Sequence, residues 1–171
     1  LGDHPRRENS MPHTDFDLEC VGGGPAGTGP LVAAARQGLF NGWRVAIVEK
    51  SEQLCAGALG HYEVESTSRA STFLEALQGD WCTRAARSDA AEALRAYGDG
   101  SVPLAVVSFC LADRGRDLSD VVGVDGRVFT RTEALSLRAL SPGFAVRVRN
   151  AEGESVLTAR RVLLALGGAP R

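Results

Sequence analysis

Val21-Gly22-Gly23-Gly24-Pro25-Ala26-Gly27-Thr28 is the stretch that decides the fold of this chain. Before it, Phe16-Asp17-Leu18-Glu19-Cys20-Val21 is a short β-leaning run that ends in the glycine cluster. After it, residues 26–37 are rich in alanine and close on Gly38, a natural residue just past a helix C-terminus. Asn41-Gly42 marks a turn, and Arg44-Val45-Ala46-Ile47-Val48-Glu49 has the continuous apolar character of a buried parallel strand. Strand, glycine-rich turn, helix and strand within about 35 residues make a βαβ unit.

Within that unit Gly22-x-Gly24-x-x-Gly27 has the spacing of a dinucleotide fingerprint. Gly22 permits the tight turn, Gly24 lets the backbone approach a pyrophosphate, and Gly27 lets the helix pack on the sheet. The free N–H groups at the helix start, with its positive end, suit a diphosphate. Glu49 stands 22 positions after Gly27, where the second strand ends. A carboxylate there accepts hydrogen bonds from ribose hydroxyls and repels a 2′-phosphate, which leaves FAD or NAD as the ligand.

The rest of the chain reads outward from this unit. Thr72-x-x-Glu75 has the form of a capping box opening a short helix that ends near Gly79. Ser88 is placed to cap a second helix running to about Tyr97. Pro103 suits the first turn of a third, whose apolar stripe is Leu104, Val107, Leu111, Leu118 and Val122, with a break expected at Gly115. The last third changes period: segments 134–137, 144–148 and 161–166 are strand-like, separated by turns at 141–143 and 150–153. The first two fit an antiparallel meander, and the third reads as a strand buried on both faces. The fold class expected is therefore α/β: a Rossmann-like half-domain with a parallel sheet, helices and a small antiparallel β-meander.

Composition bounds the function. With 171 residues the chain is about one domain. Nineteen basic against 21 acidic residues give a net charge of −2, with no basic run to suggest nucleic acid or an acidic membrane surface as a partner. No apolar stretch reaches the ~20 residues that span a bilayer, and the start has no signal-peptide pattern, so a cytoplasmic location is expected. Cys20, Cys55, Cys82 and Cys110 lie far apart without a C-x-x-C pair, which gives neither a metal site nor a dithiol. His4 and His13 fall in a polar head, residues 1–14, expected to be disordered or upstream sequence, with the first Met at Met11. Residues 15–171 are expected to be a partial domain, because the Gly167-Gly168 turn would normally lead into more protein.

Gly-Gly-Gly-Pro-Ala-Gly at 22–27 resembles the G-x-G-P-A-G form of the two-dinucleotide-binding-domain flavoproteins. Leu164-Ala165-Leu166-Gly167-Gly168-Ala169-Pro170, after a meander, resembles their second signature. The resemblance covers nearly all of the folded part. It implies FAD on Gly22, Gly23, Gly24, Pro25, Ala26 and Gly27, with the adenosine at Glu49 and the Lys50 backbone. It further implies backbone contact with the adenine near Ala134, and a close approach of the chain to the cofactor at Gly167. Departures from the family pattern are Glu19, where an apolar residue is normal, and Pro30, early in the first helix. The disulfide reductases' cysteine pair is missing, which argues against that activity.

The segment 57–68, a glycine-rich turn followed by a strand-like stretch with hydroxyl residues, is similar to the flavin-side loop of FAD-dependent monooxygenases, N-hydroxylating types included. An ordinary loop leading to a helix fits it equally. His61 in that loop is more simply a solvated side chain than a base, and nothing flanking Cys55 lowers its pKa. The expected function is the FAD-binding portion of a flavin-dependent oxidoreductase, a monooxygenase among the options. In the complete protein a small-molecule substrate and NAD(P)H are expected, while this portion alone lacks turnover and no catalytic residue is assigned. A stand-alone nucleotide-binding module, or degenerate flavoprotein, and a flavin-free NAD-binding protein are the alternatives.

Overall fold

A computed structural model describes residues 14–123 and 125–167. The polar head with His4, Met11 and His13, and Gly168-Ala169-Pro170, lie outside the described residues. The βαβ unit forms as the glycine spacing dictates: β1 (Phe16–Val21), α1 (Pro25–Arg36) and β2 (Val45–Val48). Pro30 lies inside α1 on its exposed side, and the helix runs through it.

Six strands form one sheet in the order β5-β2-β1-β8-β7-β6, where β5 is Arg127–Phe129, β6 Glu133–Ala139, β7 Phe144–Asn150 and β8 Gly153–Leu164. The strands β5, β2, β1 and the second half of β8 are parallel, while β6, β7 and the first half of β8 are antiparallel. The 12-residue β8 thus serves both parts. Its first half, which has no continuous apolar run, completes the meander; the sequence reading started this strand only at Arg161. Leu164 is also 52% exposed, so the end of β8 is not buried on both faces as expected.

Residues in register share a face of the sheet. Cys20, Val45 and Ile47 pack under Leu31, Val32 and Ala35 of α1 and Leu118 and Val122 of α5 (Leu104–Val122). On the opposite face Val21 and Val48 meet Val146 and Val148, because the meander folds back over the parallel strands. The result is three layers: helices, parallel sheet, meander.

Glu19 belongs to the inner layer. It pairs in register with Ala46 and Val162, is fully buried, and neither carboxyl oxygen has a hydrogen-bond partner. Burial, with the nearby Asp15 carboxylate adding to it, pushes its pKa up to about 7.

Between the two halves lie α2 (Ala70–Glu75), α3 (Thr83–Ala86) and α4 (Asp89–Ala96), packed together and against α5. Ser88 caps α4 as the sequence predicts, its Oγ accepting from the Ala91 N–H at 3.2 Å. The capping box does not form. α2 starts at Ala70, behind Arg69 with no side-chain cap, which puts Thr72 inside the helix. A two-stranded antiparallel sheet, β3 (Glu65–Arg69) with β4 (Ser101–Pro103), also interrupts the helical middle. Pro103 ends β4 and stands one residue before α5, not in its first turn. The break expected at Gly115 is absent: α5 is continuous for 19 residues, and Gly115 is where it lies against Leu54.

Candidate functional site

A cleft of about 460 Å³ opens at the carboxyl ends of β1 and β2. One wall is the glycine loop with Gly22, Gly24, Pro25 and Ala26, and another is Glu49 with Lys50. The far side is Ala134 at the start of the meander, and the chain leaving β8 closes it through Ala165, Leu166 and Gly167. Gly23 and Gly27 do not line it and act from behind.

Each loop glycine has its own reason. Gly22 has φ +101°, and a Cβ there would fall 2.1 Å from the Ala165 carbonyl oxygen. A Cβ on Gly27 would meet the Gly22 carbonyl at 1.9 Å, so this glycine is where helix and strand approach. Gly24 differs. Its φ is an ordinary −72°, and the nearest atom a Cβ would meet is Gly57 Cα at 3.7 Å. Neither backbone nor packing demands glycine at 24; a side chain there would only occupy the cleft.

Behind Gly24, α1 begins without a side-chain cap and with no acidic residue in its first turn. Its leading N–H groups are thus left without a capping side chain, which suits an anionic ligand. Thr28 returns its hydroxyl to the Gly24 carbonyl at 2.8 Å, which stiffens the turn.

Glu49 does more than the sequence implied. Its Oε2 accepts from the Gly23 N–H at 2.6 Å and its Oε1 from the Ser51 N–H at 2.7 Å. Each carboxylate oxygen keeps a further lone pair for another donor. Lys50 turns its ammonium to Glu133 at 3.0 Å, and Arg149 takes the other oxygen of Glu133 at 2.9 Å. These two cations hold the exposed Glu133 carboxyl below its usual range.

The sequence reading missed Thr132 and Glu133, which line the cleft beside Ala134. Thr132 is brought there by its N–H bond to the Glu49 carbonyl at 2.9 Å, a long-range pairing no local pattern announces. Gly57, Ala58 and Tyr62 also line the cleft, all from the segment read as a flavin-side loop. His61 closes a 3₁₀ turn (Leu59–His61), is exposed and does not line the cleft. All four cysteines are free and buried. Burial pushes the Cys20 and Cys82 thiols up to about 12 and Cys110 to about 11, and raises Cys55 despite the Thr28 hydroxyl and Arg114 guanidinium beside it. Among the described residues no cluster of three or more metal-ligating side chains occurs, and no helix is long and apolar enough to cross a membrane.

Comparison with known proteins places this geometry. No family profile matches the chain. A CMP-5′-(3-aminopropyl)phosphonate hydroxylase of Streptomyces rubellomurinus (strain ATCC 31215) is 34% identical over an alignment that covers 92% of this chain and 38% of that protein. The chain therefore spans less than half the length of this curated relative. Among solved structures, OTEMO in complex with FAD and NADP superposes with a TM-score of 0.62 at 14% identity, covering 91% of this chain and 26% of that one. Aklavinone-11 hydroxylase with FAD and aklavinone superposes with a TM-score of 0.53 at 18% identity, covering 89% and 33%. Glycine loop, three layers and meander together give this chain the Rossmann-like fold of the FAD-binding part of the two-dinucleotide-binding-domain flavoproteins.

Proposed function

We propose that the chain binds FAD in this cleft and forms the FAD-binding part of a flavin-dependent hydroxylase acting on a small molecule. Gly24 carries the reading, as a loop glycine at which neither φ nor a neighbouring atom forbids a side chain, and where a side chain would fill the cleft. The cofactor's pyrophosphate would lie on Gly22, Gly23 and Gly24 and on the first turn of α1, behind Pro25, Ala26 and Gly27. Glu49 would accept from the ribose hydroxyls while still holding the loop. Lys50 and Ala134 would flank the adenine, and Gly167 would pass close to the cofactor at the other end of the cleft. When bound, the flavin supplies the redox chemistry, and these residues hold and orient it.

The hydroxylase reading is supported by the Streptomyces relative, whose similarity spans 92% of this chain. NAD(P)H is the electron donor we assign to the complete enzyme. The test is an absorbance spectrum of the purified chain after incubation with FAD and desalting, beside a Gly24→Asp variant. Visible flavin absorbance retained by the parent and lost in the variant is expected, because an aspartate puts bulk and negative charge where the diphosphate would lie. Equal retention by both would sink the placement.

A further inference from the structure

The segment joining β2 to the 3₁₀ turn lies behind the glycine loop and grips one peptide of it. The Gly23 N–H donates to Glu49 Oε2 at 2.6 Å, and the Gly23 carbonyl accepts from the Cys55 N–H at 2.7 Å. Leu54 closes the third side, since a Cβ built on Gly23 would come within 2.5 Å of Leu54 Cδ2. Both polar ends of the Gly23 residue and its Cα are thus held, the N–H by Glu49 at the cleft wall and the carbonyl and Cα by Cys55 and Leu54.

This strap is itself held from below. Leu54 and Cys55 are buried, and Cys55 adopts φ +67°, a conformation a non-glycine residue keeps only when its surroundings impose it. The imposing element is α5. At Gly115 a Cβ would fall 2.5 Å from the Leu54 carbonyl oxygen and 2.9 Å from its Cβ, so the helix backbone and the strap touch directly. The preceding residue Arg114, also buried, faces the Cys55 thiol together with Thr28, and Thr28 in turn bonds the Gly24 carbonyl. Glycine weakens a helix interior relative to alanine. The nearest atoms that an alanine methyl at 115 would meet all belong to Leu54, so the contact with the strap accounts for this residue.

We propose that Gly115 and the Leu54–Cys55 strap are positioning residues, through which α5 fixes the orientation of the Gly23–Gly24 peptide, whose carbonyl the strap holds and whose Gly24 end faces the cofactor. This rests on the reading that the loop holds the pyrophosphate of FAD. None of the three touches the ligand; they act through the loop. A methyl at 115 displaces the strap, and the strap carries the Gly23 carbonyl with it. Binding that depends on aligned backbone donors falls steeply with sub-ångström misplacement.

The experiment compares Gly115→Ala with the parent chain and with Leu94→Ala, a core truncation in α4 remote from the loop. FAD affinity is read by fluorescence quenching, and hydrogen exchange of the Gly23 amide is read by NMR without ligand. Gly115→Ala is expected to bind FAD roughly tenfold more weakly and to exchange the Gly23 amide faster. Leu94→Ala, although less stable, should match the parent in both once folded. Parent-like FAD affinity and Gly23 exchange in Gly115→Ala would overturn the proposal, as would equal losses in Leu94→Ala. If the parent retains no FAD, the cofactor reading fails and the Gly23 amide alone decides the strap. If Gly115→Ala does not fold, Cys55→Gly replaces it: glycine accepts the positive φ without strain while freeing the strap. Unchanged Gly23 exchange in that variant would equally overturn the proposal.

Discussion

Replace Glu19 with glutamine and the chain should become more stable at neutral and alkaline pH, and not at pH 4.5. The carboxyl is enclosed between the parallel sheet and the meander with both oxygens unpartnered, and its pKa rises from an ordinary 4.5 to about 7. Below pH 4.5 the group is neutral in folded and unfolded chains alike, and it costs no ionisation. Between 4.5 and 7 the unfolded chain ionises first, so the folded state loses about 1.4 kcal/mol per pH unit. Above 7 the loss is complete, at about 3 kcal/mol. Glutamine has nearly the same shape and does not titrate. The difference between the two proteins should therefore be near zero at pH 4.5, grow through pH 6, and level off above 7 at about 3 kcal/mol, or roughly 6–12 °C in Tm for a chain of this size. Urea and thermal unfolding of both proteins at matched pH values measure it. Other carboxylates contribute equally to both proteins and cancel. A stability difference that stays flat between pH 4.5 and 8 would refute the reasoning, because it would mean Glu19 titrates no differently folded than unfolded.

Two further outcomes follow from the described contacts. Glu49→Ala removes the acceptor of the Gly23 and Ser51 N–H groups, and should cost about 1.5–3 kcal/mol for the charged hydrogen bond lost from the buried Gly23, while the exposed Ser51 N–H turns to water. Thermal unfolding in the absence of any ligand measures that cost, so it separates Glu49's role in holding the loop from any role in binding. The four thiols are all buried and burial raises each of them, so Ellman's reagent at pH 8 should leave the folded chain unmodified over the time in which the urea-unfolded chain reacts at Cys20, Cys55, Cys82 and Cys110. Rapid reaction at Cys55 in the folded state would show that the strap opens.

What was legible in the sequence was what local chemistry decides. Three glycines at fixed spacing between an apolar run and an alanine-rich one specify β1, α1 and β2, and Ser88 specifies the start of α4. The cleft walls at Gly22, Gly24, Glu49 and Ala134 were legible for the same reason or through the family likeness. The illegible parts are set by partners distant in sequence. Pro103 looks like the first residue of a helix, yet pairing with Glu65 draws it into β4. Residues 153–160 carry mixed polar and apolar side chains because the start of β8, residues 153–156, is exposed throughout, so no apolar run marks it. Gly115 looks like a helix break until Leu54 is seen against it. Thr132 and Glu133 reach the cleft only because Thr132 bonds Glu49, 83 residues separating Lys50 from its ion-pair partner Glu133.

The double membership of β8 bears on when the cleft can exist during synthesis. β1, the central strand, has β8 as one of its two neighbours, and Asp15 bonds Thr158 across 143 residues of chain. A ribosome delivers the glycine loop and α1 well before the Ala165 carbonyl against which Gly22 is fitted. Closing so long a loop is entropically slow, and an unpaired central strand exposes a row of backbone donors and acceptors while it waits. The nascent chain therefore holds a helix with an open anion-binding end and a sheet with a raw edge until β8 has been made. Nucleotide affinity should arise abruptly, when β8 docks, and the stretch of translation before that point is when these strands most need shielding from their neighbours.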